Sequence, residues 1–175
     1  MLNTKYNYFE KIIHKLALSN YNIVNLLFYF EDLFFSKKTK LNEKNFFISG
    51  LARSGTTQFL NILYDTNKFA SYTYEDMPFI FSPNTWKKTR SLFRSKQIPK
   101  IERAHSDKIE IDLLSPEALE EPIWMYIRKQ DYINKNYISS HELKKQDIEF
   151  FIKIINLVKV KSERDFYLSK NNFNI

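Results

Sequence analysis

Asn45-Phe46-Phe47-Ile48-Ser49-Gly50-Leu51-Ala52-Arg53-Ser54-Gly55-Thr56-Thr57 is the stretch whose reading decides the fold. The chain has 2 glycines in all, and both fall here, as Gly50 and Gly55. Glycine is needed where a backbone turns tightly or approaches a ligand closely. Ahead of them, Asn45 to Ser49 is a short apolar run closed by glycine, the pattern of a buried parallel strand. Behind them, Phe59, Leu60, Ile62 and Leu63 recur at helical spacing, which predicts a helix ending near Asp65 to Lys68. Strand, glycine loop and helix in that order predict a phosphate cradle. Its donors are backbone N–H groups and the helix N-terminus.

The side chains of the loop narrow the chemistry. The nucleoside-triphosphatase pattern ends in Gly-Lys-Ser/Thr, whereas Thr56 follows Gly55 here and the cation sits inside the loop, at Arg53. That displacement argues against ATP or GTP hydrolysis, in which the lysine reaches the terminal phosphates and the next hydroxyl holds magnesium. Arg53 can still fork onto a phosphate or sulfonate through two hydrogen bonds. Ser54, Thr56 and Thr57 add hydroxyl donors.

Outward from the loop, residues 5 to 35 predict one or two helices, with Leu16, Tyr21, Ile23, Leu27, Phe30 and Phe34 sharing a buried side. His14, Lys15, Asn20, Asn22, Asn25, Glu31 and Asp32 interrupt this stretch, whereas a spanning helix needs about 20 mostly uninterrupted apolar residues. An amphipathic helix docked on a core is the expectation, and membrane-surface contact through its aromatic face is the lesser alternative. Lys37 to Lys44 reads as a polar connector. Pro78, Pro83 and Pro99 mark a loop-rich segment with one short helix near Trp86 to Phe93. Ser115-Pro116-Glu117 has the form of a helix start running toward Trp124 or Tyr126. Ser140 to Lys161 predicts a long helix with Ile148, Phe151, Ile152, Ile155 and Val158 on one face, and Arg164 to Leu168 a second core strand. One domain results: a helical region over 1–43, then an α/β unit over 44–175. The expected unit is a P-loop-type parallel sheet with flanking helices, the sheet incomplete within this chain.

Composition excludes several classes. The 175 residues include no cysteine, which removes disulfides, thiolate nucleophiles and cysteine zinc sites. His14, His105 and His141 lie far apart, so no metal site is expected. The net charge of +7 suits an anionic partner, but the cations are scattered, with modest clusters at Lys37, Lys38 and Lys40 and at Lys87, Lys88, Arg90, Arg94 and Lys96. A nucleic-acid role would rest on that charge alone and is not expected. No secretory signal is visible, so the cytoplasm is the default compartment.

Phe46 to Thr57 resembles the 5'-phosphosulfate-binding loop of sulfotransferases that use 3'-phosphoadenosine-5'-phosphosulfate (PAPS), in the bacterial and Golgi-type branch with Pro-Arg-Ser-Gly-Thr-Thr; Ala52 stands where that branch has proline. Phe69 to Pro78, Glu102 to Asp107, Ser115 to Glu121 and Tyr167 to Asn171 resemble later segments of the same family, so the likeness runs over about residues 45 to 172. The resemblance implies sulfuryl transfer to a hydroxyl of a small molecule or carbohydrate, with PAPS as co-substrate and no metal. A base deprotonates the acceptor hydroxyl, its oxygen attacks sulfur in line, and 3',5'-bisphosphoadenosine leaves. Gly50, Arg53, Ser54, Gly55, Thr56 and Thr57 are the implied cofactor-binding residues, and Arg53 also meets the charge that builds on the leaving phosphate. Glu75 is the first candidate for the base and His105 the second. Lys170 reads equally as a cofactor contact from a neighbouring strand or as a solvated lysine.

The family's later arginine and serine for the 3'-phosphate have no match in this sequence. That predicts weak cofactor binding and a truncated, split or degenerate form, the split form being completed by a carboxyl-terminal chain. The rivals are an inactive phosphate-binding or assembly module and a P-loop nucleotide phosphotransferase.

Overall fold

The computed structural model describes residues 20–36, 44–51, 54–77, 79–90, 101–102, 110–128 and 142–171. Its elements, in chain order, are helix α1 (Tyr21–Phe35), strand β1 (Asn45–Ile48), α2 (Thr56–Asp65), β2 (Phe69–Ala70), a 3-10 turn (Tyr74–Asp76), α3 (Pro83–Thr89), β3 (Ile101–Glu102), β4 (Glu110–Ile111), α4 (Glu120–Arg128), α5 (Lys145–Ser162) and β5 (Phe166–Lys170). The chain is therefore α/β: a small parallel sheet with helices against it, plus a short antiparallel pair of β3 with β4.

The sheet order is β1-β5-β2, with both pairings parallel. Asn45 registers with Tyr167 and Ile48 with Lys170, while Phe69 registers with Phe166. Side chains alternate between faces of a strand, and β5 uses both. Leu168 and Lys170 point toward α2, where Lys170 meets Thr57. Tyr167 and Ser169 point the other way, to Glu120 at the start of α4. Both α2 and α5 pack on the sheet. Among the described residues, nothing pairs with the outer edge of β1, and Phe46 and Phe47 are 46% and 45% exposed.

The core lies between the sheet and the helices α1, α4 and α5. Tyr72, Ile80, Ile123, Ile154, Val158 and Tyr167 have lost essentially all contact with water. Each large apolar side chain so buried contributes roughly 1.5–3 kcal/mol. Trp124 lies on Phe151 with ring centroids 4.5 Å apart, tying α4 to α5.

Three sequence expectations need correction. On α1, Tyr21, Phe30 and Phe34 are exposed, and the buried side is Val24, Glu31 and Phe35. The cause is Glu31, whose carboxylate accepts from Asn84 N at 2.6 Å, Thr85 N at 3.1 Å and Thr85 Oγ1 at 2.6 Å. It satisfies the first N–H groups of α3, which no side chain of α3's own cap serves. Ser115 does not start a helix. Its hydroxyl is taken up by Asp112 in a turn, and Pro116 bridges Thr73, so α4 begins only at Glu120 and holds Pro122 in its first turn. On α5, Ile148 and Ile152 are exposed and the buried face is Phe151, Ile154, Ile155, Leu157 and Val158. The short helix of the proline-rich segment begins at Pro83, with proline in the first turn where its missing N–H costs nothing.

Candidate functional site

The glycine loop leaves the carboxyl end of β1, the edge at which open α/β sheets bind their ligands. Asn171 N donates to Ile48 O at 3.1 Å, so the ends of β5 and β1 are held together. The chain then turns through Ser49 and Gly50, and Ser54 N returns to Leu51 O at 3.2 Å. A Cβ on Gly50 would stand 2.9 Å from both Ser54 Oγ and Thr56 Cγ2. Real side chains do not pack that closely, so any other residue at 50 would make the Ser54 and Thr56 side chains turn aside.

Gly55 serves the loop differently. It has open space around it but a φ of 83°, in the left-handed region that disfavours residues with a side chain. It is the N-cap of α2, its carbonyl accepting from Phe59 N at 3.0 Å, and it supplies no side-chain cap. The first turn of α2 thus begins without the usual Ser, Asp or Asn oxygen over its N–H groups. Ser54 and Gly55 are exposed, Thr56 is half-buried and Thr57 is buried.

Lys170 comes to this loop from β5. Its ammonium donates to Thr57 Oγ1 at 3.0 Å, although the residue is only 9% exposed. On the opposite face of the same strand end, buried Glu120 accepts from Tyr167 Oη at 3.0 Å and from Ser169 Oγ. Burial, and then the Glu120 carboxylate, hold the Tyr167 phenol well above its usual range, so it remains a donor. Glu120 also lies in the first turn of α4, where the helix dipole favours a carboxylate.

Glu75 belongs to the 3-10 turn that follows β2, with β5 between β2 and the strand of the glycine loop. Its carboxylate is ion-paired with Arg90, its N–H bonds Leu113 O at 2.8 Å, and its carbonyl accepts from Trp86 Nε1 at 2.7 Å. Asp76, one residue on, is buried and anchors the turn. It accepts from Thr73 N at 2.8 Å and from Lys161 Nζ at 2.5 Å. Arg53 and His105 lie outside the described residues.

The structure therefore brings together Gly50, Ser54, Gly55, Thr56, Thr57 and Lys170, and sets Glu75 in a separate, ion-paired position. Glu120 and Ser169 were missed in the sequence. Their pairing joins two distant segments, and the only local signal was an acidic residue at a helix start. Comparison with family models, with curated proteins and with solved structures found no match for this chain.

Proposed function

We propose that this chain carries the 5'-phosphosulfate site of a P-loop sulfotransferase that moves a sulfuryl group from PAPS to a hydroxyl of a small molecule or carbohydrate. The observation that carries this reading is the glycine loop itself. A close approach at Gly50, where a Cβ would lie 2.9 Å from the Ser54 and Thr56 side chains, is followed by a left-handed glycine and a helix start with no side-chain cap, features of a loop that holds an anionic group. In this reading Gly50, Ser54, Gly55, Thr56 and Thr57 hold the 5'-phosphosulfate. Arg53 and Lys170 supply positive charge where the leaving phosphate gathers negative charge.

Lys170 also bears on the metal question. Thr57 occupies the position whose hydroxyl binds magnesium in nucleoside triphosphatases. Here that hydroxyl already accepts from an ammonium, which repels a divalent cation and favours transfer without magnesium. Glu75 is the proposed base. To act, it exchanges its Arg90 partner for the acceptor hydroxyl. His105 is the alternative base.

The test is a calorimetric titration with 3',5'-bisphosphoadenosine in the presence of a chelator. Binding without metal, lost in Arg53→Ala, is the expected result. Binding that requires magnesium would move the chain to the phosphotransferases.

One observation favours a second reading, a phosphate-binding module completed by another chain. The outer edge of β1 carries no strand among the described residues, and Phe46 and Phe47 beside it are half exposed. Sulfotransferase activity that appears only on mixing with a complementary chain separates this module from a self-sufficient enzyme.

A further inference from the structure

A cleft of about 600 Å³ opens at the other end of the sheet. Its walls are the end of α5, the residues leading into β5, and α3. Arg164 and Asp165 immediately precede β5, whereas Lys170 ends it at the glycine loop. The cleft and the loop are therefore separated by the length of β5, roughly 16 Å at 3.3 Å per residue.

The cleft is lined by Lys87, Lys88, Lys159, Lys161 and Arg164, against two acids, Glu163 and Asp165. Lys161 is neutralised from behind by Asp76 at 2.5 Å. Glu163 lies 3.8 Å from Lys87. Asp165 acts electrostatically on Lys159. Lys88 and Arg164 remain in surplus, because the partners found for them are not anions. Lys88 Nζ stands over the Phe35 ring, 4.7 Å from its centroid. Arg164 donates to Phe69 O at 2.5 Å and Asn67 Oδ1 at 2.7 Å and lies over the Tyr64 ring. These contacts fix both cations in place and leave their charge uncompensated.

We propose that this cleft is a second anion site, separate from the glycine loop, which takes a small oxyanion of the phosphate or sulfate type. Lys159 lines the same wall of the cleft. It is 4% exposed, and burial lowers its ammonium below the usual lysine range even with Asp165 nearby. The competing account is structural: lysines near a helix C-terminus complement its dipole, as Lys87 of α3 does for α5 by donating to Lys161 O at 2.8 Å. That account needs no ligand and predicts no saturable response.

The test is amide NMR of the full chain titrated with inorganic phosphate, against sodium chloride at equal ionic strength. The expected result is a saturable shift of the Val160, Glu163 and Asp165 amides that chloride does not reproduce. Lys88→Ala and Lys159→Gln should each weaken it about tenfold, the loss of one charge-assisted contact. The Gly50, Gly55 and Thr56 amides report the glycine loop separately, so failure there counts against the proposed function and leaves the cleft to its own result. Cleft amides that stay still, that follow chloride equally, or that respond unchanged in Lys88→Ala would overturn the proposal. If Lys159→Gln does not fold, Lys88→Ala alone decides. Binding to phosphatidic-acid vesicles without any response to free phosphate would overturn the small-anion assignment.

Discussion

Lys170 Nζ donates to Thr57 Oγ1 at 3.0 Å, joining the last residue of β5 to the first turn of α2. Through this bond the strand that completes the sheet also sets the charge of the glycine loop. Thr57→Val removes the acceptor and should cost about 1–3 kcal/mol in urea unfolding, because a buried ammonium loses a partner. Lys170→Met should weaken 3',5'-bisphosphoadenosine binding about tenfold or more in a calorimeter, as one charge-assisted contact is lost. Unchanged affinity in Lys170→Met would return the residue to a purely structural role.

The two glycines should fail differently. Gly55→Ala meets no atom within 4 Å but must hold a left-handed backbone, which costs about 1–2 kcal/mol. Asparagine tolerates that region, so Gly55→Asn should recover part of the loss. Gly50→Ala has no such penalty, yet its methyl would lie 2.9 Å from Ser54 Oγ and Thr56 Cγ2, so those two side chains must turn away from their places in the loop. Anion affinity should fall more in Gly50→Ala than in Gly55→Asn, with both folded by circular dichroism.

Glu75→Gln tests the base. Under the proposed function, affinity for 3',5'-bisphosphoadenosine should be unchanged, while sulfuryl transfer is abolished. Retained turnover would move the base to His105 or elsewhere. The substitution also breaks the Arg90 ion pair, so Arg90→Gln is the control. It removes the same pair and leaves the carboxylate, and it should keep activity.

Glu31 offers a stability test far from the loop. Three donors of α3 converge on its carboxylate, and hydrogen bonds to a charged group are worth about 1.5–3 kcal/mol each. Glu31→Ala should lower unfolding free energy by several kcal/mol, and Glu31→Gln by less because it keeps an acceptor.

Alkaline pH should unfold the protein. Burial is the main cause that raises the Tyr72 and Tyr167 phenols well above 10.0, with Asp76 next for Tyr72 and Glu120 next for Tyr167. The unfolded chain releases these protons first, so above pH 10.0 the folded state binds more. Their stabilisation is full below that pH and falls as pH rises, by up to about 1.4 kcal/mol per unit for each group. Lys159 acts in the opposite sense. Its lowered ammonium makes the folded state bind fewer protons, so its penalty lessens as pH climbs toward 10.5. Two fully buried phenols outweigh one lysine, so urea midpoints should drop above pH 10.0, and less steeply in Tyr72→Phe.

What the sequence made legible was local. The strand Asn45–Ile48 and the helix after Gly55 were readable because their signals lie within a few residues. The second core strand was readable too, though displaced, since Arg164 and Asp165 belong to the turn before Phe166. The face of α1 was misread because the helix is apolar nearly all round and its buried side contains a glutamate whose partners come from α3. Strand β2, at 2 residues, is too short for any periodicity to declare it. The Lys170–Thr57 contact depends on β5 lying beside β1, a pairing no local pattern encodes.

The position of β5 between β1 and β2 has a kinetic consequence. On a ribosome, both outer strands emerge long before the one that joins them, since Asn45 and Phe69 must wait for Tyr167 and Phe166. Until then Phe46, Phe47 and Phe69 stand on unpaired strands, a sticky surface that a nascent chain must shield. Contacts so distant along the chain also slow folding, because a long loop must close before the parallel sheet forms. The strand that brings Lys170 to the glycine loop is thus also the one that gives both waiting strands a partner, although Phe46 and Phe47 stay half exposed.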